Sequence, residues 1–314
     1  MFYKRIEQSI MVKAQYEGYS EDVSVKYLRE QFGNTNVYAQ NAKSLLTKAT
    51  GFISAYDFTL NPYRGCQYGC SYCYAAAFSP NSKMRQDWGG WVIFKQNAAE
   101  VLEKELNQWA KTHPDQPPRI YMSSVTDPYQ PLESQQQLTR SLLEVMLRYR
   151  PILVIQTRSP IITRDIDYLQ RFKHLRINMS IPTGSESVRK DFEPRSPSIQ
   201  ARLNAVAKIR QGIDGSKGFI PKLSITITPL LPTLPKDETA FIDKLALCDR
   251  IVIQDFHISS NRSLMAGTRQ EAEAIKQKYA WWYEQPSYER FKQKLIAQLP
   301  NVEIKEGKEG FGYE

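Results

Sequence analysis

The chain has 314 residues, 41% of them hydrophobic, and its 42 Lys and Arg residues exceed its 33 Asp and Glu residues to give a net charge of +9. This apolar content excludes an intrinsically disordered chain, and 15 Gly and 18 Pro residues are too few for a collagen-like or low-complexity protein. No apolar run reaches the ~18 residues of a membrane span, and the first residues lack the apolar stretch of a secretory signal, so we expect a cytoplasmic protein without a membrane partner.

Segments of strand and helix character alternate along most of the chain. The first 50 residues are polar and weakly periodic, and we expect an N-terminal extension with one or two short helices. The predicted strands cover 58–61, 119–125, 152–158, 175–181, 222–231 and 250–258. The predicted helices cover 97–113, 134–149, 165–174, 199–212 and 237–248, with a helical turn at 186–192. Ser134 and Asp237 are expected to cap the helices that they begin.

The alternation of strands and helices favours a parallel sheet. Six units are too few for a closed eight-unit barrel, so an open or partial barrel or a doubly wound sheet fits the pattern. Two further helices are predicted at 271–284 and 286–299, and the polar tail after them is expected on the surface or over an opening. We divide the chain into an N-terminal extension (1–50), a β/α core (51–260) and C-terminal helices with a tail (261–314).

Three of the four cysteines lie within eight residues, in the segment NPYRGCQYGCSYCYA. Cys66, Cys70 and Cys73 have the spacing Cys-x3-Cys-x2-Cys, whereas Cys248 is distant and is expected to be a small buried residue. In a reducing compartment clustered thiols indicate a metal or catalytic site, and thiolates select Fe–S clusters, zinc or Cu(I). A structural zinc site requires four protein ligands, and a [4Fe–4S] cluster normally has four thiolates. Three thiolates would leave one iron open to an outside ligand.

The cysteine spacing, with Tyr72 before the last cysteine and a strand before the loop, resembles the motif of the radical S-adenosylmethionine (radical SAM) superfamily. The segments YMSSVTDPYQPLE, VIQTRS, INMSIPT and FEPRSPS resemble its spore photoproduct lyase-like branch, and the similarity covers roughly residues 42–235. The resemblance implies a partial (β/α)6 TIM-like barrel of the radical SAM type, with helical extensions at both termini. It also implies that Cys66, Cys70 and Cys73 hold a [4Fe–4S] cluster whose unique iron binds SAM.

The same resemblance implies a reaction. One electron, from a reducing partner such as flavodoxin or ferredoxin, would cleave SAM to methionine and a 5′-deoxyadenosyl radical, which abstracts hydrogen from a substrate. In β/α barrels the functional groups follow the carboxyl ends of the strands. Thr126 and Asp127, after the second strand, replace the Gly-Gly-Glu-like stretch of many family members, which this chain lacks. Arg158 and Ser180 match positions that bind the methionine carboxylate, and Arg195 belongs to a Glu-Pro-Arg element expected to line the site.

Several of these residues also have a purely structural interpretation. Asp127 before Pro128 is typical of a capped turn, and Arg195 is equally typical of an exposed ion pair beside a proline-fixed turn. Tyr74, which follows the last cysteine, is either a hydrogen donor near the radical or a shield for the cluster.

The substrate is not determined by these motifs. The net charge of +9 and the resemblance to the spore photoproduct lyase-like branch slightly favour nucleic acid or a nucleotide, ahead of a peptide or a small metabolite. The charge is diffuse, so it is equally typical of a mildly basic protein without an anionic partner. The spore enzyme uses a cysteine just before the turn after its second strand, and the matching stretch YMSSVTDP has none, which argues against the same repair reaction. Two alternatives remain: a zinc-stabilised nucleic-acid-binding protein and an electron-transfer protein.

Overall fold

The computed structural model describes residues 25–212, 219–256 and 269–314. The strands are β1 (Val25–Phe32), β2 (Thr35–Gln40), β3 (Leu46–Lys48), β4 (Phe58–Leu60), β5 (Tyr63–Arg64), β6 (Trp91–Lys95), β7 (Arg119–Met122), β8 (Ile152–Thr157), β9 (Leu175–Ser180), β10 (Lys222–Ile227), β11 (Arg250–Ile253) and β12 (Glu303–Glu306). The α-helices are α1 (Ser82–Gln86), α2 (Ala98–Thr112), α3 (Glu133–Gln136), α4 (Leu138–Tyr149), α5 (Ile166–Leu169), α6 (Glu186–Phe192), α7 (Ile199–Gln211), α8 (Pro235–Leu245), α9 (Gln270–Lys278), α10 (Ala280–Tyr283), α11 (Ser287–Gln298) and α12 (Gly307–Gly310). Among the described residues, 3-10 helices cover Gly51–Ile53, Tyr74–Phe78 and Pro160–Asp165.

The central element is an eight-stranded sheet with the order β12-β11-β10-β9-β8-β7-β4-β3. Its six middle strands, β4 and β7 to β11, pair in parallel with their neighbours. β3 pairs antiparallel with β4 at one edge, and β12 pairs in parallel with β11 at the other. The partial (β/α)6 barrel predicted from the sequence is confirmed, and one strand is added at each edge.

The alternation of side chains along β9 separates an apolar outer face from a polar interior. On β9 Leu175, Ile177 and Met179 belong to the main hydrophobic core, while Asn178 and Ser180 occupy the opposite face. All six residues of this strand are buried, as expected for a strand that is covered on both faces. The polar face carries the side chains that reach the carboxyl end of the barrel.

The predicted helix at 134–149 is broken, because Gln137 adopts a left-handed conformation with φ 49° between α3 and α4. The expected cap, Ser134, lies inside α3. The buried carboxylate of Glu133 instead accepts hydrogen bonds from the backbone N–H groups of Thr139 and Arg140, in the first turn of α4. Glu133 therefore satisfies N–H groups that lack a partner within the helix.

Other predicted boundaries also need correction. α8 begins at Pro235, so Asp237 lies in its first turn and accepts a hydrogen bond from Ser185 Oγ at 2.6 Å rather than capping the helix. The predicted helix at 165–174 is α-helical only in α5. The strands predicted at 119–125, 222–231 and 250–258 are too long, because β7, β10 and β11 end earlier, at Met122, Ile227 and Ile253. Residues 257 and 258 lie outside the described chain. None of the described helices is long and apolar enough to cross a membrane.

The expectation of short helices near the N-terminus is wrong for residues 25–50, which form strands and turns; residues 1–24 lie outside the described chain. β1 and β2 belong to a second sheet with the order β1-β2-β6-β5, in which the unpredicted strand β6 pairs with both β2 and β5. β5 leads directly into the cysteine segment, so this small sheet supports the candidate site. The chain division at residues 50 and 260 stays a prediction, although β3 and β12 each join the barrel sheet from the flanking segments.

The C-terminal tail covers the amino end of the barrel. Phe311 and Tyr313 are buried in a cluster with Tyr121 from β7. Arg176, near the start of β9, donates to the carbonyl of Tyr313 at 2.9 Å, and Arg250, at the start of β11, donates to that of Gly312 at 2.8 Å. Of the two expected positions, on the surface or over an opening, the structure shows the tail packed against the end of the barrel opposite the cysteine segment.

Candidate active site

The three clustered cysteines lie in a tight loop between β5 and the 3-10 helix that starts at Tyr74. Cys66 and Cys70 are buried, Cys73 is half-buried, and all three thiols are free. Burial raises the pKa of Cys66 well above its usual value and that of Cys70 to about 12, and it also raises the pKa of Cys73. The three thiols are close enough for their charges to interact. Without a bound metal the site therefore favours neutral thiols, and a metal would replace their protons.

The donor set of this loop fits an iron–sulfur cluster. Soft thiolates are the ligands that such clusters take, and a cluster binds each cysteine at a different iron, so the thiols need not meet at one point. In the described part of the chain, no three His, Cys, Asp or Glu side chains are arranged around a single ion. Cys66, Cys70 and Cys73 are therefore the residues that could hold a cluster with one open iron.

The segment after β7 is hydrogen-bonded to the cysteine loop. Thr126 Oγ1 donates a hydrogen bond to the carbonyl of Gly65 at 2.7 Å. The buried side chain of Gln130 accepts from the backbone N–H of Gln67 at 2.9 Å, and Gln67 in turn accepts from the N–H of Leu132 at 2.6 Å. These reciprocal contacts fix the first part of the loop. Thr126 thus lies at the cysteine loop, as predicted, and its contact with a cofactor stays a prediction.

Asp127 is buried at the junction between this segment and β8. One carboxylate oxygen accepts from Tyr129 N–H at 2.9 Å and from Thr157 Oγ1 at 2.7 Å, and the other accepts from the backbone N–H of Arg158 at 2.9 Å. Burial raises the pKa of Asp127, although these hydrogen bonds oppose the change. Both carboxylate oxygens therefore accept hydrogen bonds from the protein, and Asp127 positions the start of the Arg158 segment. Its contact with a cofactor stays a prediction.

Arg158, after the last residue of β8, reaches the cysteine loop. Its Nη1 lies 2.8 Å from Cys70 Sγ and 3.3 Å from the hydroxyl of Tyr72, and it forms an ion pair with Glu193. Among the described residues, Nη1 makes all the hydrogen bonds and the ion pair of the Arg158 side chain. The rest of the guanidinium edge therefore remains for a ligand, and a guanidinium suits a carboxylate.

Glu193, at the end of α6, is fully buried between two arginines. One oxygen pairs with Arg158 and accepts from the Tyr72 hydroxyl, and the other pairs with Arg202 Nη2 at 2.5 Å. Burial opposes ionisation of Glu193, but Arg202 and Arg158 outweigh it and lower the pKa of the carboxyl. The carboxylate therefore stays charged at neutral pH and joins the cysteine loop to the α6–α7 segment.

Ser180 ends β9 on the interior face of the barrel and is buried. Its carbonyl accepts a hydrogen bond from Arg202 Nη1 at 3.0 Å. Asn178, two residues earlier on the same face, is buried beside the hydroxyl of Tyr121. The structure therefore brings Ser180 to the same end of the barrel as Arg158, as the sequence predicts.

Tyr74 and Arg195 lie at the periphery of the site. Tyr74 is exposed, and its hydroxyl donates to the carbonyl of Ser124 after β7. Arg195 is exposed, and its Nη1 donates to the carbonyl of Gly89 at 2.6 Å. The Glu-Pro-Arg element is thus split: Glu193 faces Arg158 and the cysteines, whereas Arg195 faces the turn before β6. The assigned roles of Tyr74 and Arg195 stay predictions.

Sequence reasoning missed Arg202. The residue lies on α7 at a spacing that places it on the same face as Ile199, Leu203 and Val206, which are all buried. A lone arginine on the apolar face of a helix is a signal for a buried cation with a carboxylate partner, since an unpaired buried charge is very costly. That partner is Glu193, which belongs to the element that the sequence had marked as lining the site.

Comparison with known proteins assigns the family. The model of the Radical SAM superfamily matches residues 60–245. This chain belongs to the radical SAM superfamily. An uncharacterized protein from Methanocaldococcus jannaschii is 33% identical over 182 residues, which are 58% of this chain and 63% of that protein. A Radical SAM Nalpha-GlyT isomerase of Pseudomonas phage M6 is 26% identical over 174 residues, which are 54% of this chain and 32% of that protein.

A further relative, an uncharacterized protein of Mycobacterium tuberculosis, is 26% identical over 228 residues, 68% of this radical SAM chain and 62% of that protein. The match thus spans less than two thirds of these relatives. Among solved structures, a spore photoproduct lyase variant has a TM-score of 0.57 at 15% identity over 85% of this chain and 81% of that chain. Another variant, with bound AdoMet and dinucleoside spore photoproduct, has a TM-score of 0.55 at 14% identity over 85% and 80%. The predicted similarity to the lyase is confirmed as a similarity of fold.

Proposed function

We propose that Cys66, Cys70 and Cys73 hold a [4Fe–4S] cluster with which this radical SAM enzyme cleaves SAM reductively and abstracts a hydrogen atom from its substrate. The observation that carries the proposal is the set of three free, largely buried thiols beside the guanidinium of Arg158. When bound, the cluster supplies one electron to SAM, and the products are methionine and a 5′-deoxyadenosyl radical. We propose a flavodoxin or ferredoxin as the source of that electron.

The residues of the chain would bind and orient SAM rather than perform the bond cleavage. Arg158 offers a guanidinium edge to the methionine carboxylate, and the Ser180 hydroxyl offers a further donor at the same end of the barrel. Thr126 and Asp127 keep the neighbouring loops in place through their contacts with Gly65 and Arg158. Such fixed donors need little rearrangement during the reaction.

Tyr74 would shield the cluster. Its ring belongs to the 3-10 helix directly after Cys73, and its hydroxyl is hydrogen-bonded to Ser124 across the cysteine loop. A tyrosine ring fixed next to the last cysteine would limit the access of water and oxygen to that side of the cluster. The alternative role, hydrogen donation to a product radical, requires the hydroxyl to leave the Ser124 carbonyl.

The test is the formation of 5′-deoxyadenosine from anaerobically reconstituted protein, SAM and a strong reductant, measured by mass spectrometry. We expect product from the wild type and from the control variant Cys248→Ala, whose buried sulfur hydrogen-bonds only to the backbone carbonyls of Leu245 and Arg250 among the described residues. We expect none from Cys70→Ala. Iron and sulfide content is measured first. One zinc per chain without iron would replace the proposal with the zinc-binding alternative. A redox cycle that does not require SAM would favour the electron-transfer alternative.

We further propose a nucleic acid or nucleotide as the substrate class. Spore photoproduct lyase has been solved with a dinucleoside spore photoproduct, and it shares this fold. In this chain an aromatic–basic surface adjoins the cysteine loop; it consists of Tyr74, Phe78, Lys83 and Arg85. Tyr74 and Phe78 are 42% and 44% exposed, and Arg85 binds the carbonyl of Ala77 between them at 3.1 Å. Exposed rings stack on bases, and cations contact phosphates.

The lyase reaction itself is not proposed, because no cysteine lies between Cys73 and Cys248 to donate hydrogen as in the spore enzyme. Substrate class is tested by fluorescence anisotropy with single-stranded DNA and RNA at about 50 mM salt, a concentration at which phosphate contacts remain strong. Phe78→Ala and Arg85→Glu should weaken binding several-fold. The control is Trp281→Ala, an aromatic residue that is exposed on α10, outside this surface. No binding by the wild type would exclude nucleic acid.

A further inference from the structure

Two residues expected to bind the same ligand group are linked through the protein. Arg158 forms an ion pair with one oxygen of Glu193, and Arg202 forms an ion pair with the other oxygen at 2.5 Å. Arg202 then donates to the carbonyl of Ser180 at 3.0 Å. The chain of contacts therefore runs from Arg158 at the end of β8 to Ser180 at the end of β9, and α6 and α7 supply the two middle residues.

From this linkage we infer that Glu193 and Arg202 are positioning residues that set the separation and orientation of Arg158 and Ser180 in a pocket for the carboxylate of SAM. The inference rests on the proposed function, since Arg158 and Ser180 bind this carboxylate only if the chain binds SAM. Neither Glu193 nor Arg202 has to contact the ligand. They act through the two residues that do.

The use of the Arg158 nitrogens supports this role. Its contacts with Glu193, Cys70 and Tyr72 all use Nη1, so the protein holds one corner of the guanidinium and leaves the opposite edge for a ligand. A planar guanidinium that is held at one corner can bind a carboxylate with two parallel hydrogen bonds. Without Glu193, Arg158 would retain its charge and lose this orientation.

The experiment compares two ligands on the cluster-loaded protein. SAM carries the carboxylate, and decarboxylated SAM retains the sulfonium, the amine and the adenosine but lacks it. Dissociation constants for both are measured by equilibrium dialysis, under anaerobic conditions and without reductant, for the wild type and for Glu193→Gln, Glu193→Asp and Arg202→Lys. The matched control is Glu186→Gln. It removes the ion pair, at 2.6 Å, between Glu186 and the buried Arg189 on α6.

We expect Glu193→Gln to weaken SAM binding at least tenfold, since a hydrogen bond between charged groups is lost, and to change the binding of decarboxylated SAM less than twofold. Glu193→Asp and Arg202→Lys keep the charges and should give smaller losses, again for SAM only. Glu186→Gln should change neither ligand. Iron content and the thermal transition show whether each variant is folded. If Glu193→Gln does not fold, the comparison of the two ligands is made with Glu193→Asp.

Two results would overturn the inference. Equal losses for both ligands would show that Glu193 only supports the fold, and unchanged SAM binding in folded Glu193 variants would show that Arg158 needs no such support. A different result would remove the proposed function and this inference with it: a wild type that contains about four irons and binds neither ligand. The two failures are thus distinguishable.

Discussion

Gly69 in the cysteine loop and Gly89 before β6 pack backbone against backbone, so that a Cβ added to Gly89 would lie 2.9 Å from Cα of Gly69. Both have positive φ angles, +55° and +101°, which side chains rarely adopt. The carbonyl of Gly89 also accepts the hydrogen bond from Arg195. The contact joins the cysteine loop to the small sheet, and its closeness depends on the absence of both side chains.

Replacement of Gly89 by alanine should therefore open the cysteine loop. We expect Gly89→Ala to lower the iron content after anaerobic reconstitution by half or more, because the added methyl group pushes Gly69 away and disturbs the spacing of Cys66 and Cys70. The control is Gly33→Ala: an alanine there would also have to adopt a positive φ, near +60°, but nothing lies within 4 Å of its Cβ. Equal iron content in the two variants would show that the close approach does not shape the cluster site.

The buried carboxylate of Asp127 gives a second prediction. Asp127→Asn keeps the size of the side chain but loses the charge that accepts from Thr157 and from the backbone of Arg158. We expect a loss of about 1–3 kcal/mol in the free energy of unfolding, since hydrogen bonds to a charged group are lost in a buried site. SAM affinity should fall as well, because the start of the Arg158 segment is released. Asp115→Asn, in an exposed loop, is the control and should be neutral. If SAM affinity is unchanged in a destabilised Asp127→Asn, Asp127 serves stability alone.

The sequence predicts the alternating strands and helices of the barrel and the residues at its candidate active site. The period-two pattern of LRINMS places a strand at 175–181, and the structure has it at Leu175–Ser180. The three cysteines, Arg158 and Ser180 lie at the carboxyl end of the barrel because consecutive parallel strands deliver their following loops to the same end. Family membership followed from the cysteine spacing, and the comparison with the family confirms it.

What the sequence could not predict depends on contacts between distant segments. β12, with the polar sequence EIKE, has no strand pattern and exists because it pairs with β11. Gln137 breaks a helix because the buried carboxylate of Glu133 caps the following one, which no local propensity encodes. The ion pairs of Glu193 join residues that are 9 and 35 positions apart, so only the tertiary structure shows that the carboxylate lies between two arginines.

The tail that covers the amino end of the barrel gives a third prediction. Phe311 is 9% exposed and packs edge-on against Phe52 and Tyr121. We expect Phe311→Ala to lower the free energy of unfolding by about 3 kcal/mol, the lower end for a buried phenylalanine, because the cavity lies next to solvent. Phe219→Ala removes a ring that is 55% exposed and should cost less than about 0.5 kcal/mol. Urea titration followed by circular dichroism measures both values, and similar losses would mean that the tail does not contribute to the barrel core.

Lys95, at the end of β6, gives a prediction for pH dependence. Burial and the charge of Arg64 lower its pKa from 10.5 to about 8, while Nζ donates to the carbonyl of Asn61 at 2.7 Å. Between these two pH values the unfolded chain keeps a proton that the folded chain has lost, so this lysine makes unfolding less favourable as pH rises, by at most about 1.4 kcal/mol per pH unit.

Lys95→Met has no titrating group at this position. The free energy of unfolding of the wild type minus that of the variant should therefore increase by about 1–2 kcal/mol between pH 8 and pH 9.5. The comparison with the variant cancels the titration of the cysteines and tyrosines, which both proteins share. Below the folded pKa both states hold the proton, so the difference between the two proteins should be constant from pH 6 to pH 7. Urea titrations at these four pH values test the prediction. A difference that stays constant up to pH 9.5 would show that Lys95 keeps its proton in the fold, and that its ammonium group is solvated despite the contact with Asn61.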